Sequence, residues 1–275
     1  MTQPPDSRVP RPPADDGVTY VFAVCRATRA VGALDLADEA GMPGGRAVRL
    51  LPAGLLTAVV QTVPAADFTD EVWQRRLSDR TQIERYARAH HAVVSNVAAH
   101  APVVPLPLAT LYHDDDRART RLATEANRFH TALKRVAYHA EWGVKVYRAP
   151  TPEPDPTPDE PLTAAGGRVP GAGLAYLNRK RGVQALRERR REQALDVAES
   201  VDAELRGLAA ASRRLRTHGA ALSGDDRTHV LNATYLVADE RAGELRRLVR
   251  VLGDRTGSQI ELSGPWVPYS FVGEV

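Results

Sequence analysis

VTYVFAV, residues Val18 to Val24, is the stretch on which the fold turns. β-branched and aromatic residues run together here behind a turn-rich leader, the pattern of a strand buried inside a sheet. Outward from it the punctuation continues. GMPGG (Gly41 to Gly45) leads to AVRLL at Ala47 to Leu51, and Pro52 and Gly54 then set off LLTAVVQTV at Leu55 to Val63. Three strand candidates in succession predict a small sheet as the first thing the chain builds.

Helical spacing takes over at Thr69. Asp67 or Thr69 can cap a helix in which Val72, Trp73 and Leu77 recur at helical intervals. A second helix over about Asp79 to His100 gathers Ile83, Tyr86, Ala87, Val93, Val94 and Val97 on one side, with Arg85, Arg88 and His91 on the other. Val103 to Leu111 reads as strand interrupted by prolines, hence an edge or crossover segment. Asp114, Asp115 and Asp116 stand where one further helix begins, complementing the positive end of its dipole, and that helix runs to about Tyr138.

EWGVKVYR (Glu141 to Arg148) is again a strand, followed from Ala149 to Gly173 by a proline-rich tract that can form neither helix nor sheet. The longest helical signal spans about Leu174 to Thr217, although Gly182 and Gly207 both weigh against an unbroken rod. A strand at Thr228 to Val237, an amphipathic helix at Asp239 to Leu252 and a strand starting at Ser258 to Leu262 complete the pattern. The second half therefore suits an antiparallel sheet with helices on one face, and the whole chain is α+β.

Composition narrows the function classes. The 275 residues are 43% hydrophobic and 26% charged, enough for two domains with filled cores. No apolar run approaches the roughly 18 residues of a membrane span, so no membrane partner is expected. The opening MTQPPDSRVPRPPADDG reads as a disordered leader, residues 1–17, and not as a secretory signal. The single Cys25 has no internal disulfide partner, which fits a reducing cytoplasm. A net charge of +3 is too small to argue for nucleic acid unless it is clustered.

The chemistry-bearing candidates are few. His90, His91, His100 and His113 with Asp114 to Asp116 supply metal-ligand types, but no HExxH motif places three of them together, and helix-surface histidines beside an acidic cap are the simpler reading. Cys25 ends an apolar strand, where a thiol is inert packing. GGRVPGAG (Gly166 to Gly173) lacks the lysine and hydroxyl ending of a phosphate loop. Charge concentrates in RKRGVQALRERRRE, Arg179 to Glu192, with Arg179, Lys180, Arg181, Arg187, Arg190 and Arg191 as candidate contacts for an acidic partner. Glu188 and Glu192 interleave as helical ion-pair partners, and no aromatic or groove-reading motif accompanies the arginines. Trp266, Tyr269 and Phe271 crowd SGPWVPYSFV at the end of a chain only 5% aromatic. They either pack across the junction of the two domains or anchor a partner.

Four blocks in order, YVFAV (Tyr20 to Val24), RYARAHHAVV with Glu84 before it (Arg85 to Val94), VVPLPLATLYHDDD (Val103 to Asp116) and EWGVKVY (Glu141 to Tyr147), resemble the gas vesicle protein GvpF/GvpL family. The ending GPWVPYSFV (Gly264 to Val272) resembles that family's ending, so the likeness runs from Tyr20 to Phe271, leaving out the Ala149 to Gly173 tract. Pro107 stands where the family commonly has arginine, and Leu108 and Ala109 stand where many members have Phe and Gly.

The resemblance implies two domains, a small N-terminal α/β sheet domain (18–112) and a C-terminal ferredoxin-like domain with a long helix (113–275, including the proline-rich loop 149–173). It also implies an accessory role in gas vesicle assembly in the cytoplasm and at the gas vesicle. The expected partners are the shell protein GvpA and other Gvp accessory proteins, bound as an adaptor or chaperone-like factor. No catalytic residue, metal or cofactor comes with it. The alternatives left standing are a metal-dependent hydrolase using His113 and Asp114 to Asp116, and a nucleic-acid binder using the arginine-rich helix.

Overall fold

Strand β1 (Gly17–Arg26) lies inside an antiparallel sheet that also holds β2 (Arg49–Ala53), β3 (Leu56–Pro64), β4 (Val103–Pro105) and β5 (Leu111–Tyr112). The order is β2-β3-β1-β4, with β5 also pairing β1. The structure is a computed structural model that describes residues 17–147, 172–215 and 229–273, the side chains of 172–179 and 187 excepted. The expected disordered leader and nearly all of the expected proline-rich loop lie outside the described residues.

The unbroken apolar character of VTYVFAV has a structural reason. Residues Tyr20 to Cys25 are all fully buried, because both faces of the sheet are covered. On one face Tyr20, Phe22, Ala23 and Cys25 pack with Tyr86, Val93, Val94 and Val97 of α3 (Arg80–Ala98). On the other, Val21 and Val24 pack with Ala118 and Leu122 of α4 (Asp115–Thr124) and with Phe129, Ala132 and Leu133 of α5 (Ala126–Val136). A register shift between Val21 and Ala23 turns the consecutive Phe22 and Ala23 toward the same cluster. Each large apolar side chain buried in this way contributes roughly 1.5–3 kcal/mol.

Capping follows the sequence. Between a short α1 (Arg29–Gly32) and α3, helix α2 (Asp70–Ser78) starts at Thr69, whose side chain accepts from the Val72 N–H, while Asp67 pairs with Arg76. Asp79 caps α3. The single helix expected from Asp114 to Tyr138 is two: the backbone leaves helical geometry at Glu125, which takes ion pairs from Arg121 and Arg128, so that α4 packs on β2 and α5 on β1 and β4. The break carries no Gly or Pro; it comes from fitting two apolar stripes to one twisted sheet. The expected strand at Val103 to Leu111 is likewise two short strands around the loop at Leu106–Thr110.

The remaining chain forms a separate unit, Tyr138–Trp266, while Val267–Val275 belongs with the first unit, Met1–Ala137. The expected division between residues 112 and 113 therefore falls inside the first unit, because α4 and α5 cover its sheet. The second unit reads β6 (His139–Tyr147), α6 (Ala172–Leu208), β7 (Ala211–Arg214), β8 (His229–Ala238), α7 (Ala242–Thr256), β9 (Gln259–Trp266). Its antiparallel order, β7-β8-β6-β9, is that of a ferredoxin-like βαββαβ fold. Alternation places Trp142, Val144 and Val146 under α6 and α7, against Val201, Leu205, Leu245 and Leu252.

Two expectations change here. Helix α6 passes Gly182 and Gly207 unbroken but stops at Leu208, so the helix predicted to reach Thr217 gives way to β7. ASRR carries no apolar alternation. It pairs with β8 and is further held by Arg214, which binds Glu199 through two hydrogen bonds (2.8 and 2.7 Å) and the buried Asp202 at 2.5 and 2.8 Å. The Tyr235 hydroxyl on β8 donates to Asp202 at 2.6 Å. The last strand also runs further than SQIEL and takes in Trp266, which faces Glu141 in the register.

Candidate functional site

Segments nearly 250 residues apart in the chain converge in the first unit at the loop between β4 and β5. The Ala109 N–H donates to the Tyr20 hydroxyl at 3.1 Å, and Tyr20 lies 2.8 Å from Nδ1 of His90. With the Tyr20 oxygen accepting from Ala109, its own proton is free to point at Nδ1, an arrangement in which Nδ1 is the acceptor. His90 is neutral, and in this arrangement its proton is on Nε2. Burial pushes its imidazole down to about 4; the Leu106 backbone carbonyl works against that shift and His91 adds to it. Desolvation likewise raises the Tyr20 phenol far above its usual value.

Around this chain of hydrogen bonds the rings of Phe22, Tyr20 and Tyr269 lie 5.5, 5.8 and 6.2 Å from His90. Leu106 is tied to β1 through its N–H to the Phe22 carbonyl at 2.9 Å. Beside the loop is a cleft of about 150 Å³ bordered by Leu106, Pro107, Arg128, Phe129, Tyr269 and Val272. Ala109 sits at φ 64°, in the left-handed region that glycine enters without strain. Pro107 contributes an apolar wall to the cleft.

The tail aromatics separate. Phe271 is 3% exposed, Tyr269 is 36% exposed with its hydroxyl 3.5 Å from Nδ1 of His91, and Trp266, closing β9, is 50% exposed. Val267 packs on the α3 side of the first sheet and Val272 on the α4–α5 side. The tail is therefore folded onto its own protein at Phe271 and presents an aromatic surface at Trp266.

The basic residues lie in the first half of α6. Lys180, Arg181 and Arg191 are exposed and Arg190 is half-buried; for Arg179 and Arg187 only the helical backbone is described. The acidic turn is structural. Asp114 caps α4 by accepting from the Arg117 N–H at 2.7 Å, which holds its carboxyl below the usual range. Asp115 is held low chiefly by its bond from Arg49 (2.8 Å), with Thr19 also donating at 2.8 Å. Asp116 pairs with Arg119 at 2.6 Å. Among the described residues no three His, Cys, Asp or Glu side chains gather as a metal site. Cys25 is buried and its thiol pushed up to about 12 by burial.

His90 had been expected on a helix surface with His91. It is buried, and the pattern that distinguishes it was present: Tyr86, His90, Val93 and Val97 follow one another at steps of four, three and four. Tyr20 gave no such signal, since its hydroxyl's partners come from residues 70 and 89 positions away.

Comparisons with known proteins agree with this architecture. Residues 18–273 match the family described as gas vesicle synthesis protein GvpL/GvpF. Gas vesicle protein L of Streptomyces sp. (strain CB03234) is 36% identical over 258 residues, covering 94% of both chains. The crystal structure of GvpF from Anabaena sp. PCC7120 superposes with a TM-score of 0.61 at 12% identity, over 94% of this chain and 97% of that one. GvpF from Microcystis aeruginosa gives 0.58 at 14% identity, over 93% and 98%. At those identities the two structures speak for the fold, while the near full-length family match speaks for kinship: the chain belongs to the GvpL/GvpF family of gas vesicle synthesis proteins.

Proposed function

We propose that this protein serves gas vesicle assembly by binding, as an adaptor or chaperone-like factor for the shell protein GvpA and other Gvp accessory proteins, in the cytoplasm and at the growing vesicle. The observation that carries the reading is family membership across residues 18–273. The geometry supports binding over chemistry. Of the strongly perturbed groups of the first unit, Tyr20, His90 and Cys25 are buried in packing or hydrogen bonds and Tyr269 is raised by desolvation alone, and the acidic turn is spent on a cap and ion pairs.

Binding surfaces, by contrast, are on offer. Trp266 and Tyr269 present rings at the surface, and the first half of α6 presents cations. A subunit that polymerises into a wall with an apolar face exposes strand edges and hydrophobic patches before it assembles, and a protein partner that covers them prevents aggregation. Among the described residues no helix is long and apolar enough to cross a membrane.

The test is co-purification of the tagged protein with GvpA and with each other accessory protein, co-expressed one at a time. Capture of soluble GvpA is the expected result. Capture of accessory proteins alone reassigns the protein to a scaffold role, and capture of none overturns the reading.

A further inference from the structure

Helix α6 outruns the sheet it packs on. Its 37 residues span about 55 Å, whereas β6 and β8, of nine and ten residues, span about 30 Å. Burial along the helix begins at Ala198 and continues through Val201, Asp202, Leu205 and Leu208. From Lys180 to Gln193 every described side chain is exposed except the half-buried Arg190.

The face that buries the second half of the helix continues into this exposed half. Val183, Leu186 and Arg190 follow one another at steps of three and four, and a further seven and four lead to Val197 and Val201, which pack on the sheet. Val183 and Leu186 are 40% and 44% exposed. Charge is concentrated on the same segment: Arg179 to Glu192 holds seven Lys/Arg and two Glu, a net +5, against +3 for the whole chain. The rest of the protein is thus slightly acidic, and the exposed helix is its cationic pole.

We propose that the exposed half of α6 is a docking arm for a partner protein bearing a carboxylate-rich, amphipathic helical face, with Val183 and Leu186 packing between rows of arginine–carboxylate pairs. The identity of that partner as a gas vesicle protein rests on the function proposed above. An arm-to-arm contact between two copies does not fit, since each arm would bring a net positive charge to it. A lipid surface asks for an apolar face segregated from the cations, and Arg190 stands in the stripe itself. A nucleic acid single strand asks for stacking rings, and residues 180–193 contain none.

The experiment uses the full chain and fluorescence anisotropy with four probes: a helical peptide built of Glu and Leu at helical spacing, polyglutamate of equal charge, a short random DNA duplex, and vesicles containing phosphatidylglycerol. The peptide is expected to bind most tightly, to weaken about tenfold between roughly 50 and 200 mM salt, and to be lost in Arg189→Glu/Arg190→Glu/Arg191→Glu. Val183→Asp/Leu186→Asp is expected to reduce peptide binding to the polyglutamate level. Circular dichroism should show both variants folded, since these side chains lie away from the core. Tighter binding of duplex or vesicles, or peptide binding that survives charge reversal, overturns the proposal. Co-purification of Gvp proteins that persists in the charge-reversed protein also overturns the arm while leaving the assembly role standing. Its absence already in the unaltered protein refutes the assembly role instead.

Discussion

Acidification should destabilise the first unit through His90, and the size of the effect follows from its surroundings. An ordinary histidine takes up a proton near 6.5, and His90 only at about 4, chiefly because burial among Tyr20, Phe22 and Tyr269 disfavours the imidazolium. His91 is the neighbouring titratable group that adds to the shift. Protonation would also place a second donor against the Tyr20 hydroxyl, which already accepts from Ala109. Between about 4 and 6.5 the unfolded chain binds the proton and the folded chain does not, so stability rises with pH across that window. The contribution is fully present above 6.5, is lost as the pH falls toward 4, and levels off below it. At about 1.36 kcal/mol per pH unit the full loss is about 3 kcal/mol, with about 2 kcal/mol gone by pH 5. Urea unfolding at pH 7, 6 and 5, followed by fluorescence of Trp73 in the same unit, measures it. His90→Gln removes the titration and should flatten the pH dependence by that amount, whatever its own stability. Parallel loss of stability in both proteins refutes the reasoning, as does an NMR titration of the His90 ring with its midpoint above 6.

Four further outcomes are expected. Asp202→Ala should cost the second unit about 2–4 kcal/mol in urea unfolding, because the buried Tyr235 hydroxyl loses its acceptor, while Arg214 keeps Glu199 and the half-exposed Arg206 returns to solvent, both adding little; a loss under about 1 kcal/mol would show that the Tyr235–Asp202 bond contributes little to this unit. Gly264→Ala should lower the melting temperature sharply, costing at least about 2 kcal/mol, since a Cβ at φ 122° would meet the Glu141 carbonyl at 2.8 Å and the Trp142 ring at 3.1 Å. Phe271→Ala should cost about 3–5 kcal/mol and the half-exposed Trp266→Ala clearly less, the opposite order showing that Trp266 carries the docking of the tail. Gly182→Ala, where an added methyl meets nothing within 4 Å, should raise helicity by circular dichroism and stabilise α6 by about 0.5–1 kcal/mol.

Both long strands of the first sheet, a cap at Asp67 or Thr69, the start of the next helix near Asp79 and the strand–helix alternation of the second unit were legible in the residues. These signals are local: β-branched runs, 3.6-residue spacing and a hydroxyl or carboxylate before a helix act within a few positions of themselves. Strand β7 was not legible, because ASRR has no apolar alternation and is placed by pairing with the distant β8 and by ion pairs with Glu199 and Asp202 on the preceding helix. The division at Glu125 was hidden for the same reason, since neither Gly nor Pro marks it. Of the candidate site, the aromatic tail and the basic helix stood out as composition, and Phe271, Tyr269 and Trp266 looked alike until burial separated them.

What the sequence alone determined, then, is the inventory: an α+β chain, its strands and helices, its cationic segment, and its likeness to the GvpF/GvpL family. The tertiary structure decided which of those features are interior and which are surface. It put His90 under Tyr20 and Ala109, folded Phe271 onto the first unit, and left the front of α6 beyond the reach of its sheet. The physical reason is that burial and hydrogen-bond partnership depend on residues far away in the chain, and periodicity reports only on neighbours.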